Sequence, residues 1–244
     1  MTNLKEWYGI SITDPLFDEN LEGKLKKLQL EIHALQNNIT NQYWKTPEVI
    51  ARVVIDKLDD YEPLIPAFEM ISKYCKPMLQ ICDSYLDGKL DDDEYNAREL
   101  WFLENLSEYS PFVEIANEIG PTNNWSSKSQ IGRVNKSSSL WIGHERISTV
   151  FWPGREYIPI CLDEWLGEFG PECEHVLMSF YPNTLMDFES LSSYIGGDIA
   201  GLSECGMNEW VGPYSHKMEA LVKRRAYQIG APVCWWNWQG EAKY

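Results

Sequence analysis

The sequence predicts an α+β protein, with an N-terminal helical bundle to about residue 120 and a smaller mixed α/β part over 140–244. Three observations predict it. Apolar residues in the first half recur at helical spacing. Those in the second half gather into short β-branched and aromatic runs. Between them, GPTNNWSSKSQIGRVNKSSS (120–139) is rich in Ser, Asn and Gly and poor in apolar residues, the composition of a long loop or interdomain linker over 121–139.

The first helix rests on Leu21, Leu25, Leu28, Ile32, Leu35 and Ile39, which alternate spacings of four and three along one narrow apolar seam. The seam lasts under three heptads, which suits packing inside a bundle. Thr46-Pro47-Glu48 supplies a capping hydroxyl, a first-turn Pro and an early acid. It predicts a second helix through Val49, Ile50, Val53, Val54 and Leu58 that ends before Pro63. A third is expected over Pro66–Leu86 with a kink at Pro77, a fourth from Asp91 through Leu100, Trp101, Leu103 and Leu106, and a short one over Pro111–Ile119. Strands are expected over Leu140–Trp152, His175–Tyr181 and Val233–Trp238. Helices are expected at about Ile160–Phe169, Asp187–Tyr194 and Tyr214–Gln228.

The 244 residues carry a formal net charge of −16. That field repels phosphate backbones and anionic membranes, so direct nucleic-acid binding and membrane association are not expected. A basic protein is the natural complement. The charge is uneven: residues 83–118 hold 11 acids against Lys89 and Arg98. No 18-residue apolar run is present and the first residues lack an apolar signal core. The six cysteines (Cys75, Cys82, Cys161, Cys173, Cys205 and Cys234) are dispersed without a C-x-x-C pair, as buried thiols in a reducing compartment would be. A cytoplasmic address follows as the expectation.

Asp83 to Glu94 can be laid over a calcium loop, with acids at positions 1, 5 and 12 and Gly88 at 6. Tyr85 stands at position 3, where a carboxylate is needed. A turn explains the same residues better: Gly88 ends one helix, Asp91 caps the next, and Glu94 at its third position completes a capping box. The run YLDGKLDDDEYNARELW, through Tyr85, Leu86, Gly88, Leu90, Glu94, Tyr95, Leu100 and Trp101, resembles the helical hairpin of colicin D-type immunity proteins. The resemblance covers about 20 residues and implies a protein that masks a basic ribonuclease toxin.

No other motif carries chemistry. Cys173-Glu174-His175 places two metal-ligand types together, but no second pair accompanies it, so no metal or cofactor is expected. Nucleophile-elbow, phosphate-loop and dinucleotide-loop signatures are absent. Asp163, Glu164, Glu168, Glu172 and Glu174 crowd twelve residues, and Trp235-Trp236-Asn237-Trp238 could stack on sugars or bases. The leading expectation is an acidic inhibitor or immunity-type protein that occludes a basic partner through Asp83, Asp87, Asp91, Asp92, Asp93, Glu94 and Glu99, with Asp163, Glu164 and Glu168 as a second acidic face. The alternative is an enzyme with its site in the C-terminal part, around His144, Glu145, Glu164, His175 or the Trp cluster.

Overall fold

A computed structural model describes residues 7–38, 47–81, 90–119, 128–151, 173–181, 185–192, 200–206 and 216–235. Strand and helix alternate through these residues. The strands are β1 (Trp7–Thr13), β2 (Glu48–Val54), β3 (Lys76–Gln80), β4 (Phe112–Ile119), β5 (Glu145–Phe151), β6 (His175–Phe180), β7 (Gly201–Cys205) and β8 (Val233–Trp235). Between them run α1 (Leu21–Asn38), α2 (Leu64–Tyr74), α3 (Asp92–Asn105), α4 (Lys128–Leu140), α5 (Leu185–Ser192) and α6 (His216–Ile229). Each strand pairs in parallel with the next, and β8 returns to β1 through Tyr8↔Val233 and Ile10↔Trp235. The result is a closed eight-stranded parallel barrel with helices outside it, a (β/α)8 barrel.

This overturns the expected N-terminal helical bundle and with it the α+β class. Residues 48–54, expected as helix, form β2. Their β-branched run EVIARVV is apolar on both faces because a parallel barrel strand is covered on both. The expected Pro66–Leu86 helix stops at Tyr74, Cys75 turns extended, and Pro77 lies inside β3. Pro111–Ile119 holds β4 rather than a short helix. The Ser-rich stretch expected as a loop carries α4 from Lys128. The expected helix at 160–169 lies outside the described residues, as does the loop carrying Gly88.

The predicted leucine seam is real, but it packs on the barrel. Leu21, Leu25, Leu28, Ile32 and Leu35 of α1 are buried in one core with Tyr8, Ile10 and Ile12 of β1. Alternation along the strands divides the core in two. Outward-facing Tyr8, Ala51, Val53, Leu79, Val113, Val176, Leu202 and Val233 meet the helices. Trp7, Ile50, Met78, Phe112, Ile147, Leu177 and Cys234 form a separate buried cluster that plugs the barrel interior. Gly9 lets β1 close on β2 there, since a Cβ at this position would lie 2.1 Å from the Ile50 carbonyl oxygen. No helix among the described residues is long and apolar enough to cross a membrane.

Candidate functional site

The plug marks the amino-terminal part of the barrel interior, and the residue two places further along each strand decides what lies above it. Ile50 leads to Arg52, Met78 to Gln80, Phe112 to Glu114, Ile147 to Thr149 and Leu177 to Ser179. A two-residue step keeps the side chain on the same face. The apolar plug is therefore followed, toward the carboxyl ends of the strands, by a polar layer. In barrels of this kind the interior is ordinarily filled by branched apolar residues, and sites lie at the carboxyl-end face.

Half of the layer is a hydrogen-bonded network. The Arg52 and Glu114 side chains are fully buried and face each other across β3. Arg52 Nε donates to Glu114 Oε2 at 2.6 Å and Nη2 donates to Oε1 at 3.1 Å. Nη2 also donates to Asn117 Oδ1 at 3.0 Å, and Thr149 Oγ1 donates to Glu114 Oε1 at 2.5 Å. The forked guanidinium against a carboxylate fixes both side chains in direction as well as distance. Beside them the thiol of Cys234 is pushed above its ordinary range by burial, with Arg52 pulling it back and Glu114 pushing it further.

Other polar groups of the interior are unpartnered among the described residues. Both amide atoms of Gln80 and the hydroxyls of Ser11, Ser179 and Ser203 are shielded from solvent and have no hydrogen-bond partner among the described residues. Leaving one such group unmade costs about 1–3 kcal/mol, so a cluster at one level of the fold calls for an explanation. Above the layer, the backbones of β4 and β7 end alike: Glu118 holds the last-but-one position of β4, and Glu204 that of β7.

The exits of β2 and β3 are pinned from outside the barrel. Buried Arg98 of α3 donates from Nη2 to the Ile55 carbonyl at 2.8 Å and from Nη1 to the Ile81 carbonyl at 3.0 Å, with its guanidinium 4.8 Å from the Phe102 ring centre. Asp14, after β1, takes a left-handed φ of 48°; its amide donates to the Val54 carbonyl, and its Oδ1 accepts from the Asp56 amide, both at 2.8 Å. Arg52, Gln80 and their neighbours thus stand on strand ends with little freedom.

The sequence-predicted acidic face is dispersed by the fold. Asp91 is the N-cap of α3 and, with Glu94, makes the expected capping box: the Glu94 amide donates to Asp91 Oδ1 at 2.8 Å and the Asp91 amide to Glu94 Oε2 at 3.2 Å. Glu94 also holds Lys57 at 2.7 Å, and Asp92 holds Arg133 at 2.8 Å. Asp93 is exposed in the same turn. Glu99 is fully buried; its Oε1 accepts from Trp141 Nε1 at 3.2 Å, and desolvation holds its carboxyl above the usual carboxylate range. Asp83, Asp87, Asp163, Glu164 and Glu168 lie outside the described residues.

Of the residues expected for the enzyme alternative, His144, Glu145 and His175 sit at the wrong end, Trp235 closes β8, and Glu164, Trp236 and Trp238 lie outside the described residues. Glu145 and His175 begin β5 and β6 and meet each other at 2.9 Å, and His144 in the preceding turn packs edge-on against Trp141. That is the amino-end face, where such contacts serve stability. Sequence reasoning missed Arg52, Gln80, Glu114, Asn117, Thr149, Ser179 and Ser203. The available signal was the repeated apolar–x–polar step in I-A-R, M-L-Q, F-V-E, I-S-T and L-M-S.

No protein-family model matches the chain, and no curated protein matches it. Solved structures do match. The β-mannanase from Streptomyces thermolilacinus aligns at TM-score 0.58 and 14% identity, over 96% of this chain and 78% of that one. The 3-dehydroquinate dehydratase from Aquifex aeolicus VF5 aligns at 0.51 and 16%, over 94% and 87%. At these identities the likeness establishes the barrel fold. An immunity-type inhibitor built on a helical bundle is therefore set aside: α3, which carried that expectation, is one of the outer helices of a barrel.

Proposed function

We propose that this chain is a glycoside hydrolase working at the carboxyl-end mouth of its barrel. The observation that carries the reading is the polar layer in the barrel interior. It is built from amide and hydroxyl groups around one arginine already neutralised by a carboxylate. A lining of that chemistry suits a neutral polyol. An anionic substrate would want an arginine without a buried carboxylate on it, and the chain's net charge of −16 would repel it at a distance. Glycosidic cleavage needs two carboxyl groups on either side of the scissile bond, one as acid and one as base or nucleophile. Glu118 and Glu204, at the carboxyl ends of β4 and β7 where both strands carry register shifts that break simple alternation, are the pair we assign. The Arg52–Glu114–Asn117 network fixes β4 directly below Glu118. The shared fold of a β-mannanase makes β-linked mannan oligosaccharides the first substrates to try. The dispersed cysteines support a cytoplasmic address, where the substrates would be imported oligosaccharides.

The test is release of reducing ends from a panel of β-linked oligosaccharides, mannan-derived ones first. Glu118→Gln and Glu204→Gln should each lower the rate by about 10³-fold or more with the fold intact by circular dichroism. Turnover that survives both substitutions, or no release from any member of the panel, would defeat the reading.

A further inference from the structure

We propose that Gln80, with the hydroxyls of Ser179 and Ser203 across the barrel from it, is the sugar-recognition floor of this site, the place where a ring's adjacent hydroxyls are read. The proposal rests on the glycoside hydrolase reading for its ligand class, but its geometry stands apart from the two glutamates assigned there. Gln80 is 2% exposed, and Ser179 and Ser203 are fully buried. Among the described residues neither the amide nitrogen nor the amide oxygen of Gln80 has a hydrogen-bond partner, and neither serine hydroxyl has one.

Gln80 and Ser179 each stand two residues beyond a plug position on their own strand and so face the barrel axis in the layer of the Arg52–Glu114 pair, and Ser203 lies where β7 carries an extra residue between its pairings with β6 and β8. Gln80 sits in register with Glu114 on the neighbouring strand, yet Glu114 accepts from Arg52 and Thr149. The amide is thus passed over by a network assembled around it. Across the ring, β6 and β1 bring small residues to this layer, Ser179 and Gly9.

A primary amide matches a vicinal diol. Its N–H donates to one hydroxyl oxygen while its carbonyl accepts from the next hydroxyl, and two serines can each donate to or accept from a third. Because these groups are dry, they discriminate strongly: a ligand lacking the matching hydroxyl leaves them unpaired, and sites built this way reject such analogues by large factors. Fold stability alone would favour methionine at position 80.

The experiment uses the full chain and two readouts, thermal melting with and without mannotriose and hydrolysis of mannan oligosaccharides. Gln80→Met keeps the volume and removes the amide. Without sugar it should melt at or above the wild-type temperature. The upward shift given by mannotriose in the wild type should vanish, and kcat/KM should fall about 100-fold, mostly through KM. Ser203→Ala, a smaller change, should reduce the sugar shift in the same direction. A Gln80→Met protein that melts lower without sugar would show that the amide serves the fold, and one that keeps the sugar shift and KM would show that it does not touch the ligand; either overturns the proposal. So does a wild type that mannotriose leaves unshifted. A wild-type shift that Gln80→Met removes, with no hydrolysis at all, would uphold the recognition floor while refuting the hydrolase reading.

Discussion

Removing the charge of Glu114 tests the account of the barrel interior most directly. Glu114→Gln keeps the shape and a hydrogen-bond acceptor but removes the carboxylate charge held at 2.6 Å by the fully buried Arg52 guanidinium. Breaking a buried pair on one side costs about 3–5 kcal/mol, because the remaining charge has lost both water and partner. In a chain of this length each kcal/mol corresponds to roughly 2–4 °C in Tm, so the variant should melt about 6–20 °C below the wild type. Replacing both partners, Arg52→Met with Glu114→Leu, removes the stranded charge and should recover most of the loss, since apolar replacement of a buried pair is often neutral. Thermal and urea unfolding followed by circular dichroism reads both. A Glu114→Gln protein within about 1 kcal/mol of wild type would refute the claim that the pair is dry and mutually dependent. A double variant no better than the single would do the same.

Three further outcomes follow from the same structure. Burial raises the Glu99 carboxyl above its unfolded value, so the folded state gains from its protonation: that stability is present below the unfolded pKa and lost as pH rises through the folded one. Glu99→Gln, which can still accept from Trp141, should therefore be the more stable protein at pH 7 and lose that advantage near pH 4 in melts across pH; an unchanging difference would refute the shift. Gly9→Ala puts a Cβ against the Ile50 carbonyl and should cost about 1–3 kcal/mol in urea unfolding. The Cys75 thiol, pushed up to about 12 by burial, and the buried thiols of Cys205 and Cys234 should resist a thiol reagent at pH 8 in the native protein and react once it is unfolded; fast labelling of all three in the native state would contradict their burial.

The fold was half legible. α1 and α3, β5, β6, β8 and α6 stand where periodicity, capping chemistry and β-branched runs put them, within a few residues. β2, β3 and β4 were misassigned for one shared reason. A strand in a closed parallel barrel is covered by helices outside and by the plug inside, so it loses the alternation that identifies strands, and a short apolar run then fits helical spacing equally well. Thr46-Pro47-Glu48 looked like a helix start because the residue types that cap helices also open strands after a turn. With these elements read as helices, the βα alternation that signals a parallel barrel cannot emerge, and the acid-rich start of α3 looks like an interaction surface rather than the cap of one helix among many.

The site was hidden by the same error, because its residues acquire a common direction only when the strands are in place. Arg52 and Glu114 are 62 positions apart and look like ordinary surface charges until β2 and β4 turn them both inward. Counting net charge concealed them further, since the pair sums to zero and sits where no field from it reaches solvent. What the sequence does hold is a local signature, an apolar residue followed two places later by a polar one, repeated strand after strand toward the carboxyl end. An isolated instance means nothing. Repetition in β2, β3, β4, β5 and β6 means that one level of the interior has exchanged packing for polar chemistry, in part without satisfying it. Stability gives no reason to place Gln80, Ser179 and Ser203 there unpaired. Binding a group that arrives from outside does, and the carboxyl-end level at which they lie is the one from which such a barrel can be reached.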